Sequence, residues 1–239
     1  MSHRFRFFGT AQTSGWLIAG DEHTHLAKVL RLPVGSVIEV MDGTGIWCVG
    51  KIAEITASTA RVEVQENKKD LPRAVKLIVA LGALSHGEVD EVLSPLVELG
   101  VDEIIVFGQE DQGKSRLNEK AIERWQRMIL SACKQCKRAL VPKLSTMKSC
   151  YEVAAAGHLW ESKFVGVADA SSRLNTMQIR LVAGTTAGIV VGSEKGLSEE
   201  ELNSLLEHGF LPVRLGSHVL RAKTAAIACT AVLTELLTV

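Results

Sequence analysis

Residues 188–239 read GIVVGSEKGLSEEELNSLLEHGFLPVRLGSHVLRAKTAAIACTAVLTELLTV, and this stretch decides the fold. The apolar run 189–191 ends in a glycine-bracketed turn, Gly192 to Gly196. Ser198, with Glu201 three residues later, carries the pattern of a capping box, so a helix opens there. A buried strand thus delivers a flexible loop into an accessible place. The pattern then repeats: 210–216, FLPVRLG, reads as a short strand, 216–218 as a turn, and the tail from Arg221 as a helix whose only charge after Lys223 is Glu235. Two loops are expected to leave neighbouring strands side by side, past the strands' carboxyl ends, where open α/β sheets hold their ligands. Glycine-rich backbone, the apolar residues Leu197, Leu215, Val219 and Leu220, and the run Arg221-Ala222-Lys223-Thr224 suit a flat, neutral ring held between apolar walls. Plain strand-to-helix connections fit the same spacing. The two loops hold no G-x-S-x-G, no histidine and cysteine set as base and nucleophile, and no metal cluster, which argues against a hydrolytic site.

Upstream of this stretch, strand and helix alternate. VKLIVALGAL (75–84), DEIIVFG (102–108), KFVGVAD (163–169) and AGIVVG (187–192) read as strands; 88–99, 118–138 and the neighbourhood of 149–160 read as helices. Such alternation predicts an α/β domain with a mostly parallel sheet covered on both faces. Residues 4–64 are different. They are mostly extended, with one helix near 22–32, a hairpin turn at Asp42-Gly43-Thr44-Gly45, and another alternating run over 54–64, together a small β-barrel. The polar run 65–74, with Pro72, is the domain boundary, giving domains at 1–70 and 74–239.

Lysine plus arginine (27) balances aspartate plus glutamate (27), so overall charge names no partner. Its distribution does. Residues 74–110 carry 1 positive and 7 negative side chains, and residues 111–148 carry 10 positive and 3 negative, a basic block that fits phosphates or a solvated helix face equally well. Five cysteines without scaffold spacing indicate a reducing compartment; with no apolar run of signal-peptide or membrane-spanning length, a cytoplasmic protein is expected. Gly108 to Ser115 matches the P-loop pattern, but Glu110 and Asp111 would set carboxylates against a phosphate, and the next helix starts late, with Asn118 as its cap. His23 and His25 form an H-x-H with no third ligand evident, so a helix start is the better reading and no metal is expected. HRFRFF (3–8) interleaves cations and aromatics as base stacking would want, or is an edge strand with one core face.

The closing stretch resembles the carboxy-terminal pattern of the ribosomal RNA small subunit methyltransferase E family, of the SPOUT superfamily, close to GPEGGLS-E-E followed by GF-x-x-x-x-LG-x-x-ILR-x-ETA. Gly192, Glu194, Gly196, Leu197, Ser198, Glu200 and Glu201 match its first half; Gly209, Phe210, Leu215, Gly216, Leu220, Arg221, Thr224 and Ala225 match its second. HRFRFF and HLAKVLRLPVGSVIEVMDGTG, with His25, Leu30, Arg31 and Gly35, are similar to its RNA-binding barrel. Glu98, Gly100, Gln135, Arg138 and Pro142 match central segments.

The resemblance implies a PUA-like barrel followed by a SPOUT-type, trefoil-knotted parallel-sheet domain, acting as a homodimer. It implies transfer of a methyl group from S-adenosyl-L-methionine to N3 of a uridine in small-subunit ribosomal RNA, free or in the assembled subunit, with no metal and no membrane. The donor site it implies is Val167, Ala168, Gly192, Glu194, Gly196, Leu215, Gly216, Leu220, Thr224 and Ala225. A cation near the uracil oxygens would favour the anionic base, which makes Arg138, Arg221 and Lys223 the catalytic candidates. RNA contacts are expected at Arg4, Arg6, Arg31, Lys114, Arg116, Lys134, Lys137 and Arg138. Three positions depart from the pattern: Ser193 for proline, Lys195 for the second glycine and Lys223 for glutamate. They predict a looser loop, a backbone restricted where positive φ is needed, and a reversed charge beside a cationic donor. The alternatives are a non-catalytic RNA-binding protein on the same scaffold and, behind it, a P-loop nucleotide-binding protein using Gly108 to Ser115.

Overall fold

The computed structural model describes residues 4–83, 86–108, 117–177 and 182–237. Two compact units result, one of Met1–Pro72 with Cys133–Val141, the other of Arg73–Ala132 with Pro142–Val239.

The first unit is a six-stranded sheet in the order β1 (Arg6–Phe8), β4 (Val37–Met41), β5 (Ile46–Ile55), β6 (Thr59–Lys69), β3 (Gly15–Ala19), β2 (Thr10–Gln12). Only the β1–β4 pair is parallel. Phe7, Trp16, Ile18, Ile38, Val40, Ile52 and Val62 alternate onto one core with Leu26. Gly9 brings the two edges together. A Cβ there would lie 2.6 Å from Val40 Cγ1 and 2.9 Å from the Leu17 carbonyl, so only glycine lets the chain cross between β4 and β3. The Asp42 carboxylate builds the hairpin turn by accepting from the Thr44 amide (2.7 Å) and hydroxyl (2.8 Å), with Gly43 and Gly45 at positive φ. The helix expected near 22–32 is a short α1 (Gly20–Thr24) that widens into a π-helical turn, His25–Val29, where the Leu30 amide reaches the His25 carbonyl.

Residues 133–141 return to this unit, a detour that the boundary at Pro72 does not disclose. The Gly45 amide donates to the Ala139 carbonyl, the Val141 amide to the Gly43 carbonyl, and the Ala139 amide to the Asp70 carboxylate. Arg6, only 7% exposed, is spent here. Its Nε donates to Glu39 Oε2 (2.9 Å), its Nη1 to the Lys137 carbonyl (2.5 Å), and its guanidinium lies 4.3 Å over the Trp47 ring.

The second unit holds a six-stranded, wholly parallel sheet in the order β12 (Leu211–Val213), β10 (Ser162–Gly166), β11 (Thr186–Val191), β7 (Lys76–Gly82), β8 (Glu103–Phe107), β9 (Lys143–Met147). The helices are α2 (His86–Glu98), α3 (Glu119–Cys136), α4 (Cys150–Ala156), α5 (Glu199–Glu207) and α6 (Ala222–Leu236). Ile78, Ala80, Ile105, Val165 and Val190 share a core with α4 and with Leu205 of α5, while α6 packs on β7, β11 and α2. The expected alternation is present, and Asn118 Oδ1 caps α3 by accepting from the Ala121 amide. Trp125 and Ile129, one full turn apart on α3, are buried, while Met128 is only partly so. Strand β9 was not legible: KLSTM is polar because it lies on the sheet's edge.

At the amino end of this sheet, Glu103 accepts from Lys76 Nζ (2.6 Å), Lys143 Nζ (3.0 Å) and Ser145 Oγ (2.8 Å). Burial pushes its carboxyl upward, but the hydrogen bonds from Lys76, Ser145 and Lys143, with the charge of Lys76, outweigh that and hold it below the ordinary carboxylate range. A lowered folded-state pKa stabilises above the unfolded value of about 4.3, and this stabilisation is lost as pH falls through the folded value. Glu103→Gln is therefore expected to cost about 1.5–3 kcal/mol at pH 7. The difference from wild type should vanish in acid, as read by urea denaturation at a series of pH values.

Candidate functional site

A cavity of about 650 Å³ opens past the carboxyl ends of β10, β11 and β12. That volume falls within the range of small-molecule sites, roughly 300–1,000 Å³. Three loops wall it: Gly166 to Ala168 after β10, 191–197 after β11, and 213–222 after β12, joined by Glu88 of α2, Leu202 of α5 and Cys229 of α6. The two loops expected to lie side by side do not leave neighbouring strands, because β10 stands between β11 and β12 and contributes a loop of its own. The Val167 amide donates to the Val213 carbonyl at 2.9 Å and ties that third loop to β12.

The 192–197 segment is a tight turn. The Gly196 amide donates to the Ser193 carbonyl (2.9 Å), and the Ser193 hydroxyl accepts from the Lys195 amide (3.3 Å). Gly196 takes the positive φ, +80°. Gly192 has no room for a side chain, since a Cβ would lie 2.8 Å from the Gly196 carbonyl carbon. The turn is also pressed on Gly82 at the end of β7, where a Cβ would meet the Ser193 nitrogen at 2.6 Å. The reciprocal Ser198–Glu201 box then opens α5 (2.9 and 3.1 Å).

After β12, Arg214 donates from Nη1 to the Gly216 carbonyl (3.0 Å) and lines the cavity with His218 and Arg221, the N-cap of α6. Cys229 forms part of the wall. Burial pushes its thiol up to about 12, so it stays protonated and acts as apolar surface.

Of the residues expected to hold a donor, Val167, Ala168, Gly192, Glu194, Gly196, Leu215, Leu220 and Ala225 line this cavity, whereas Gly216 and Thr224 do not. Arg221 lines it too. Lys223 does not: its Nζ is 2.6 Å from Glu91 Oε2 on α2, which engages the charge away from the cavity wall. Glu88, Arg214 and His218 border the cavity although the sequence did not single them out; only the strand order brings α2 to this place.

Arg138, Lys134 and Lys137 belong to the first unit, with Arg4, Arg6 and Arg31. Arg6 has no face left for a phosphate, so its assignment to RNA contact is corrected to a buried structural charge. Lys134 is bonded to Glu22 Oε1 (2.5 Å), and Lys137 lies 3.5 Å from Glu39 Oε1. Arg4 and Arg31 are exposed, and Arg31 holds a positive φ of 51°. Lys114, Arg116 and the P-loop match from Gln109 to Ser115 lie outside the described residues; α3 opens four residues beyond that match, at Glu119. His23 is buried in α1 with Nε2 3.2 Å from the Thr56 carbonyl, and the His25 ring stands edge-on to Phe7.

The family model described as an RNA methyltransferase domain matches residues 71–234, and that of an RNA methyltransferase PUA domain matches residues 18–65. A ribosomal RNA small subunit methyltransferase E of Mycobacterium bovis is 30% identical over 224 residues, covering 88% of this chain and 82% of its own. The chain belongs to the ribosomal RNA small subunit methyltransferase E family. The Bacillus subtilis member is 26% identical over 235 residues, covering 92% of this chain and 91% of its own. The crystal structure of the Neisseria gonorrhoeae member, bound to S-adenosyl methionine, is 26% identical, superposes with a TM-score of 0.84 and covers 98% of both chains.

Set against the methyltransferase E pattern, the three departures change less than their residue types predict. Ser193 closes the turn with its hydroxyl where proline would stiffen it. Lys195 needs no glycine: among the described non-glycine residues positive φ is confined to Arg31 and Lys137. The reversed charge of Lys223 is paired with Glu91.

Proposed function

We propose that the chain transfers a methyl group from S-adenosylmethionine to N3 of a uridine in small-subunit ribosomal RNA. The observation that carries this reading is the cavity at the carboxyl ends of β10, β11 and β12. Its residues suit the donor. Val167, Leu197, Leu202, Leu215 and Leu220 offer apolar walls to a flat ring, while Glu88 and Glu194 favour a cationic sulfonium over a neutral sulfur. When bound, the donor supplies a methyl group on positively charged sulfur.

The protein's part is orientation and charge. The turn at 192–197 and the loop at 213–222 hold the reactants in line, and alignment of this kind lowers a barrier by about 7–11 kcal/mol at best. N3 of uridine carries a proton at neutral pH. Arg221 favours the anionic base by lying toward its oxygens and is the first catalytic candidate, with Arg138 the second. Arg4, Arg31, Lys134 and Lys137 are proposed to grip RNA phosphates.

The active form is proposed to be a cytoplasmic homodimer. Helix α6 supports this: it buries Ala222, Ala226, Cys229, Thr230 and Leu233 within the chain, while Ile227, Ala228, Ala231 and Val232 stay partly exposed on an apolar second face. The family's trefoil knot is proposed for the second unit, in keeping with the close passage of Ser193 over Gly82.

Calorimetric titration with S-adenosylmethionine tests the reading. One saturable site is expected; no heat of binding at millimolar donor would refute it.

A further inference from the structure

The cationic and ionisable side chains at the cavity differ in what holds them. Arg214 is bonded to the Gly216 carbonyl, and His218 Nδ1 lies 3.1 Å from Ser217 Oγ. Lys195 and Arg221 line the same cavity, are exposed, and have no side-chain hydrogen bond or ion pair among the described residues. Arg221 stands where the family has arginine; Lys195 stands where the family has glycine.

Lys195 is carried on a fixed base. The Ser193 hydroxyl and carbonyl close the turn around it, and Ser193 itself is 4% exposed and pressed on Gly82. The backbone is therefore set while the four-carbon stem moves, which presents a hydrated, mobile point charge at the cavity. A cation there repels a sulfonium and so matches some other, anionic ligand. Its exposure screens it, which suits contact with a phosphate more than stabilisation of charge on a reacting base. Phosphate contacts of this kind fix the register of a nucleic acid without reading its sequence.

We infer that Lys195 grips a backbone phosphate of the RNA substrate beside the target nucleotide, so that the RNA runs over the 193–196 turn. This rests on the RNA substrate proposed above. It gives the chain a substrate contact that the glycine of the family pattern cannot make.

The test is binding of a small-subunit ribosomal RNA transcript across a salt series, with wild type, Lys195→Met and Lys195→Arg, alongside calorimetry of S-adenosylmethionine on the same proteins. Lys195→Met is expected to weaken RNA binding and to lower the slope of log K against log salt by about 0.7–1, the value of one phosphate contact. Lys195→Arg should keep the slope, and donor affinity should not fall below the wild-type value in either variant. Equal slopes in wild type and Lys195→Met would overturn the inference alone. So would loss of donor affinity with RNA binding intact, because the lysine would then hold the donor's carboxylate. A wild-type protein that binds no RNA at any salt overturns the proposed function, and this inference with it.

Discussion

Gly192→Ala is expected to lower affinity for the methyl donor by more than tenfold while the protein remains folded. The added methyl would lie 2.8 Å from the Gly196 carbonyl carbon and 3.0 Å from the Leu197 nitrogen, both backbone atoms with no rotamer to escape into. Overpacking of this kind costs about 1–3 kcal/mol. Here it acts on the turn that forms the cavity wall, and about 1.4 kcal/mol is a factor of ten in binding. Gly196→Ala separates shape from strain. Nothing lies within 4 Å of its added Cβ, so that variant meets only the cost of a positive φ of 80°, about 1–2 kcal/mol. Calorimetry with S-adenosylmethionine, paired with thermal melts, should rank Gly192→Ala as the stronger loss of donor affinity. Equal affinity for Gly192→Ala and wild type would show that the turn does not shape the site.

The second large effect concerns stability. Glu39→Ala is expected to destabilise the protein by about 3–5 kcal/mol, because it leaves the buried Arg6 guanidinium without its carboxylate. Glu39 Oε2 is 2.9 Å from Arg6 Nε, and the side chains are 7% and 2% exposed, so water cannot take the carboxylate's place. The Lys137 carbonyl and the Trp47 ring remain as partners, and neither carries the missing charge. Replacing both members, Arg6→Met with Glu39→Leu, should recover much of the loss. The readout is the urea midpoint at unchanged slope. If Arg6 instead served RNA directly, Arg6→Met with Glu39→Leu would fold well and bind RNA poorly; binding near the wild-type level is expected.

Arg6 also marks where reading by residue type stops. HRFRFF resembles an RNA-contacting start, and its alternation equally resembles an edge strand with one core face. The edge-strand reading holds for the place of β1 and for Phe7 on the core, but not for a single covered face, because Arg6 is buried on the other side against Glu39 and Trp47. A cation among aromatics does not declare whether its partner is a phosphate or a glutamate 33 positions away. Local signals were strong wherever chemistry is local: the Ser198–Glu201 box, the Asp42 turn and the Asn118 cap all lie where their side chains demand. The parallel sheet was legible from alternation, but its order was not. With β10 between β11 and β12, the site gains Val167 and Ala168 from a third loop, and Glu88 arrives from a helix about a hundred residues earlier in the chain. The return of residues 133–141 to the first unit left no trace for the same reason. It continues a helical pattern, and what holds it is backbone pairing with Gly43 and Gly45.

Lys223 shows how a departure from a family pattern misleads when read alone. A lysine for a glutamate beside a cationic donor predicts repulsion, yet Glu91 on α2 meets it at 2.6 Å and the lysine does not line the cavity. Lys195 is the reverse case. Its backbone needs no glycine, so the substitution adds a charge without strain.

The most direct measurement is nucleoside mass mapping of small-subunit ribosomal RNA from cells lacking the protein, after incubation with the purified protein and isotopically labelled S-adenosylmethionine. A single labelled methyl group on uridine, eluting with authentic 3-methyluridine, is the expected result. No labelled nucleoside in either free RNA or assembled subunits, from protein that binds the donor, would contradict it, as would a label found only on another base or on ribose.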